Sequence, residues 1–298
     1  MREVRPLEPE WDPRLVEAAV LAAMHAGAEA SVFHAERDAP YAIAEAEGRE
    51  AAFAALHAAW FGRLALDRPL REALAMRPEV AAGCARCLVA LARGGRDEGG
   101  DLLVAPATRP ILSLRVSPET VAAPERFRLL VRCELLHVAD MLDPRFGYEP
   151  SLPEGVAGGA RERAVRDNYR VVWNTYVDGR LARAGLVPPV IRADRFREFA
   201  RAFFHLGEQI EGAFERFFDA PELTHADLLG FAAGDVAGAP LARCRLCDMP
   251  TRVFDSAPER LPRAALAAIV GDFPSWRPAD GLCGRCAELY ASRVATRS

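Results

Sequence analysis

Arg132-Cys133-Glu134-Leu135-Leu136-His137-Val138-Ala139-Asp140-Met141-Leu142-Asp143-Pro144 is the stretch that decides how this chain is read. Cys133 and His137 stand four residues apart, so on an α-helix they share one face, one turn from each other. Thiolate and imidazole are both zinc ligands, and Glu134 between them carries a carboxylate able to take a proton from a metal-bound water. Leu130, Val131, Leu135 and Leu136 give the same helix an apolar face. Ala123-Pro124-Glu125 is a helix-start signal, and Asp143-Pro144 stops the helix, which is predicted over about 124–143.

Outward from this helix, Leu102–Ala105 and Ile111–Val116 read as short strands, and Ser117-Pro118-Glu119-Thr120 as another helix start. Gly94–Gly100 is too rich in glycine and charge for the interior of an element and marks a boundary. From Asp12 to about Gly94 the pattern is helical, with Leu15, Val16, Ala19, Val20 and Met24 on one face, then Phe53, Leu56 and Trp60. A further helix is expected after Arg77-Pro78, carrying Val80, Cys84, Cys87 and Leu91. Beyond a proline- and glycine-rich loop at 147–159, helices are expected over about 161–184, with Tyr169, Trp173, Tyr176 and Asp178, and over about 194–218, with Phe196, Phe199, Phe203, Leu206 and Ile210. A short helix follows near 226–233. The expected fold is a predominantly helical α+β protein in three parts: a helical region (1–98), a central domain (99–238) and a small metal-binding module (239–298).

All 38 basic residues among the 298 are arginine, so chemistry that needs a lysine, such as Schiff-base formation or the lysine-dependent phosphate loop, is excluded. A net charge of -4 gives no reason to expect nucleic-acid binding. The first ten residues lack the apolar run of a signal peptide, and no stretch has the length and apolarity of a membrane helix, which predicts a cytoplasmic location without membrane contact. Seven cysteines, four of them in two late Cys-x-x-Cys pairs, point to metal rather than a disulfide framework.

Those pairs are Cys244-Arg-Leu-Cys247 and Cys283-Gly-Arg-Cys286, separated by 35 residues. Four thiolates make one closed tetrahedral zinc site, and Gly284 suits a tight knuckle turn. A ligand pair running directly into a helix resembles the second half of a treble-clef or zinc-ribbon module, with room in the spacer for a hairpin or a small helix near 264–270. A structural zinc held by Cys244, Cys247, Cys283 and Cys286 is expected to fold a module too small to be stable on its core alone.

With cysteine for its first histidine, the segment 133–137 resembles the His-Glu-x-x-His helix of the zincin metallopeptidase superfamily. The resemblance covers the strand near 111–116, the motif helix, and the helix over 161–184. It implies Glu134 as general base and His137 as zinc ligand. For a further ligand there are two candidates, Asp143 and Asp178. Asp143 falls where the extended metzincin pattern places one, but Asp140 stands where that pattern has glycine, and Asp143-Pro144 also reads as an ordinary helix stop. Asp178, from a following helix, is preferred. Cys133 admits three readings: a zinc thiolate in a second, central site, the mark of a lost metal, or a member of a structural site with His137, Cys84 and Cys87. Two functions follow. One is a zinc-dependent hydrolase acting on a peptide or protein substrate; the other is an inactive zincin scaffold that binds protein or nucleic acid.

Other patterns carry less. Glu222-Leu-Thr-His225 could join Glu134 and His137 in a di-iron site with Glu162 and Glu208, but Thr224 reads as a helix N-cap. Cys84 and Cys87 read as buried core thiols, and His25, His34 and His57 as ordinary histidines. Tyr148, Tyr169 and Tyr176 are candidates for a hydroxyl at a transition-state oxyanion.

Overall fold

The structure is a computed structural model that describes residues 7–25, 29–104, 108–152, 159–238, 242–247, 250–251, 254–255, 258 and 261–295. It is a predominantly helical α+β fold with one small sheet. Strand β1 (Pro9–Trp11) leads into α1 (Pro13–Met24), whose first turn is set by Pro13 and by Asp12 accepting from the Arg14 N–H at 2.9 Å. Helices α2 (Ala30–Tyr41), α3 (Ala46–Arg63), α4 (Arg68–Ala75) and α5 (Pro78–Gly83) follow.

The chain then enters the sheet again through β2 (Arg86–Leu91), β3 (Gly99–Leu103) and β4 (Ile111–Val116). The spatial order is β1-β2-β4-β3, with β1, β2 and β4 parallel and β3 antiparallel at the edge. The strands expected near 102 and 111 are therefore present. The helix expected to carry Cys84, Cys87 and Leu91 is not: α5 ends at Gly83, and Cys87 lies on β2, whose Cys87 and Val89 point into the core. The glycine-rich segment at 94–100 links β2 to β3, so the division at residue 98 falls within the strands of one sheet.

Ser117 caps α6 (Pro118–Val121) by accepting from the Thr120 N–H, and Pro124 opens α7 (Pro124–Leu142), the motif helix. Of the loop expected at 147–159, residues 153–158 lie outside the described residues. Helix α8 (Gly159–Arg183) runs next. The single helix expected over 194–218 is two, α9 (Val190–Ala202) and α10 (Ile210–Phe218), joined by a 3-10 stretch in which Gly207 has φ of +54°. Thr224 caps α11 (His225–Gly238), donating to and accepting from Asp227. Gly179 of α8 lets α10 come very close: a β-carbon there would sit 1.8 Å from the Phe218 carbonyl oxygen.

Three main apolar clusters result. The first joins α1–α5, the sheet and one face of α7; the second joins the other face of α7 to α8–α11. The third is carboxy-terminal, where β5 (Ala242–Arg243) pairs β6 (Pro250–Thr251), β7 (Phe254–Asp255) pairs β8 (Leu282–Cys283), and α12 (Arg263–Asp272) packs on α13 (Gly284–Ala295). No helix among the described residues is long and apolar enough to cross a membrane.

Candidate functional site

Helix α7 divides the first two clusters, and its motif residues line their boundary. Glu134 and His137 both face a cavity of about 800 Å³, walled by Gly99 and Gly100 of β3, by Tyr148, and by Tyr169, Trp173 and Asn174 of α8. Glu134 reaches across to the sheet, where its Oε2 accepts from the Gly100 N–H at 2.7 Å. Burial pushes its carboxyl above the ordinary range, and the Gly100 hydrogen bond opposes that rise. Glycine at 100 eases this close approach, because a β-carbon there would lie 3.1 Å from the Leu114 side chain and 3.2 Å from that of Glu134.

His137 is buried edge-on to Trp173, with ring centroids 4.6 Å apart. Burial, with the positive charges of Arg180 and Arg195 nearby, lowers its pKa to about 3, although the neighbouring Asn174 side chain favours the charged ring. The imidazole is therefore neutral at pH 7, and its Nδ1 has no hydrogen-bond partner. Opposite, Tyr169 Oη lies 2.7 Å from Nδ1 of His225, whose ring also borders the cavity. Tyr148 and Tyr169 thus line the cavity, whereas Tyr176 is buried, its Oη accepting from the Leu223 N–H.

Cys133, one turn before His137, faces Asp178 of α8. Its thiol donates to Asp178 Oδ1 at 3.4 Å, and burial followed by the Asp178 charge pushes the thiol pKa far up. The other carboxylate oxygen accepts from Nε and Nη2 of Arg195 on α9, each at 2.7 Å. Arg195 and Asp178 are both largely buried, with side chains 16% and 2% exposed. A second buried pair lies two turns beyond Cys133 on α7, where Asp140 Oδ2 accepts from Arg180 at 2.5 Å and from Trp173 Nε1 at 2.9 Å. Asp143 takes no part: it is held by Arg145 at the end of α7.

The structure brings Cys133 to Asp178 and sets Glu134 and His137 on one cavity. It does not gather Cys133, His137 and Asp178, or any of these with Cys84 and Cys87, into a cluster of ligand atoms. Cys84 and Cys87 belong to the first core, where burial pushes the Cys87 thiol up to about 12. Among the described residues one group of three or more ligand atoms is compact enough to hold a metal ion: the sulfurs of Cys244, Cys247, Cys283 and Cys286, all within 4.8 Å of one another. The Cys283 N–H donates to Cys244 Sγ and the Cys286 N–H to Cys283 Sγ, as knuckle turns do. Burial raises the Cys244 pKa, but N–H groups of Cys283, Cys247 and Leu246 outweigh it and bring the thiol down to about 7.

Arg195, Asn174 and Gly100 were not foreseen. Each acts across a tertiary contact, and none carries a local spacing that would reveal it. In comparisons with family models, curated proteins and solved structures, nothing matches this chain.

Proposed function

We propose that the central region is a peptide-binding scaffold of zincin type that no longer holds a catalytic metal, carried beside a module folded by one structural zinc. The observation behind this reading is the engagement of Asp178. Its carboxylate, preferred as the ligand contributed by α8, already receives a positive charge from Arg195 and a thiol hydrogen from Cys133. A buried cation of the protein's own supplies the charge that a metal would bring, so the central donor set does not fit a metal ion. The four-cysteine group does fit one. Zinc–sulfur bonds of about 2.3 Å separate the sulfurs of a tetrahedron by about 3.8 Å, and Cys247 Sγ and Cys283 Sγ are 3.8 Å apart.

A peptide is the favoured ligand of the central cavity because β3 is an edge strand that borders it through Gly99 and Gly100. Main-chain groups on such an edge can take up an extended chain as a further strand, which here would displace Glu134 from the Gly100 N–H. The hydrolase is the second reading, favoured by the shared exposure of Glu134 and His137 to that cavity and by the unpartnered Nδ1 of His137.

Zinc content per chain separates the two readings, measured by elemental analysis on protein purified without chelator, for wild type and for His137→Ala. One zinc in both is expected. Two in the wild type falling to one in the variant would overturn the scaffold reading and make a peptidase assay the next step.

A further inference from the structure

A second cavity, of about 780 Å³, opens in the amino-terminal region between α1, α2, α3 and the start of α4. Its size is that of a small-molecule site. The inner wall is aromatic: Trp11 and Phe61 stand edge to face with centroids 4.8 Å apart, and Phe53 stacks on His57 at 6.3 Å. Three of the lining residues, Trp11, Arg37 and His57, each carry a buried nitrogen with no hydrogen-bond partner: Trp11 Nε1, Arg37 Nε and His57 Nε2. A buried donor left unmade is costly, so the two that can only donate, Trp11 Nε1 and Arg37 Nε, point to an acceptor that completes them.

The charges narrow the choice. Arg71 is tied to Asp67 and Glu8, and Arg14, Glu17 and Glu50 are exposed at the mouth, where solvent screens them. Arg37 is only half-exposed and has no ion pair among the described residues. His57 is 2% exposed, and burial lowers its pKa, with Glu17 opposing and Arg37 assisting, so it adds no charge of its own.

We propose that this cleft binds a small apolar monocarboxylate, aromatic or medium-chain, whose two oxygens accept from Trp11 Nε1–H and Arg37 Nε–H while its body lies against Phe53 and Phe61. With one wall cation free of an ion pair among the described residues, the cleft matches a single anionic group on the ligand. The site is separate from the central cavity and does not depend on what that cavity binds.

The test is isothermal titration of the full chain with 2-naphthoate and decanoate, and with the uncharged 2-naphthalenemethanol as comparator. Saturable one-to-one binding of at least one acid is expected. Arg37→Gln should weaken it roughly 10- to 100-fold, the span that follows loss of a hydrogen bond to a charged group. Ala58→Phe, which fills the cavity from α3, should abolish it, with thermal unfolding confirming that both variants are folded. His137→Ala should leave it unchanged. The proposal is overturned if neither acid binds below about 1 mM, or if the alcohol binds as tightly as the acid. It is overturned equally if Arg37→Gln and Ala58→Phe bind like wild type, or if His137→Ala removes binding and so moves the probe to the central cavity.

Discussion

At Asp178 a buried carboxylate is shared between a thiol and a guanidinium, and this sharing sets what substitutions there do. Taking away one partner of a buried ion pair strands the other charge, at about 3–5 kcal/mol, whereas replacing both by apolar groups of similar shape is far milder. Arg195→Met should therefore lower the unfolding free energy by about 3 kcal/mol or more. Asp178→Leu combined with Arg195→Met should cost clearly less than the sum of the single changes, as a double-mutant cycle in urea would measure. His137 carries a pH dependence of definite sign. Its folded pKa, about 3, lies below its ordinary 6.5, so between those values the unfolded chain binds a proton that the native state refuses. Its contribution to stability is intact above pH 6.5 and falls as the pH drops toward 3. Glu134, raised by burial, works in the opposite sense, so the comparison must be with His137→Gln. The stability advantage of wild type over that variant should shrink from pH 7 to pH 4, and an advantage that does not change would refute the buried neutral imidazole. The motif residues were legible because they lie one helical turn apart. Arg195 was not, because it reaches Asp178 only through the packing of α9 on α8.

Among the elements, those with long periodic patterns were read well. Helices α7 and α8 fall within a few residues of where capping and apolar spacing put them. Strand β2 was misread because Val80, Cys84, Cys87 and Leu91 mimic helical spacing, although the buried alternation of Cys87 and Val89 decides for a strand. The break between α9 and α10 was hidden for a similar reason. Phe199, Phe203, Leu206 and Ile210 keep helical spacing across it, whereas the backbone leaves the helix at Phe203 and turns again at the positive φ of Gly207. The carboxy-terminal module has its own small core of Ile269, Trp276, Leu282 and Tyr290, too little to fold unaided. Stripping its metal with a chelator, or Cys247→Ser, should unfold α12 and α13 while the remaining helices persist. Circular dichroism would show a partial loss of helix, and limited proteolysis would cut first within 239–298. A single cooperative collapse of the whole chain would contradict this.

For the molecule as a whole, the α+β class and the cysteine knuckles could be read from local pattern. How α7 separates two cores could not, since the sheet recruits β1 and β2 from before the glycine-rich segment, β3 from its end and β4 from after it. The tryptophans are distributed among these cores. Trp60 is buried in the first, Trp173 in the second and Trp276 in the third, while Trp11 lines the amino-terminal cleft. Each compartment thus holds its own intrinsic fluorophore, and variants keeping one indole at a time would let the melting of each core be followed separately by its emission.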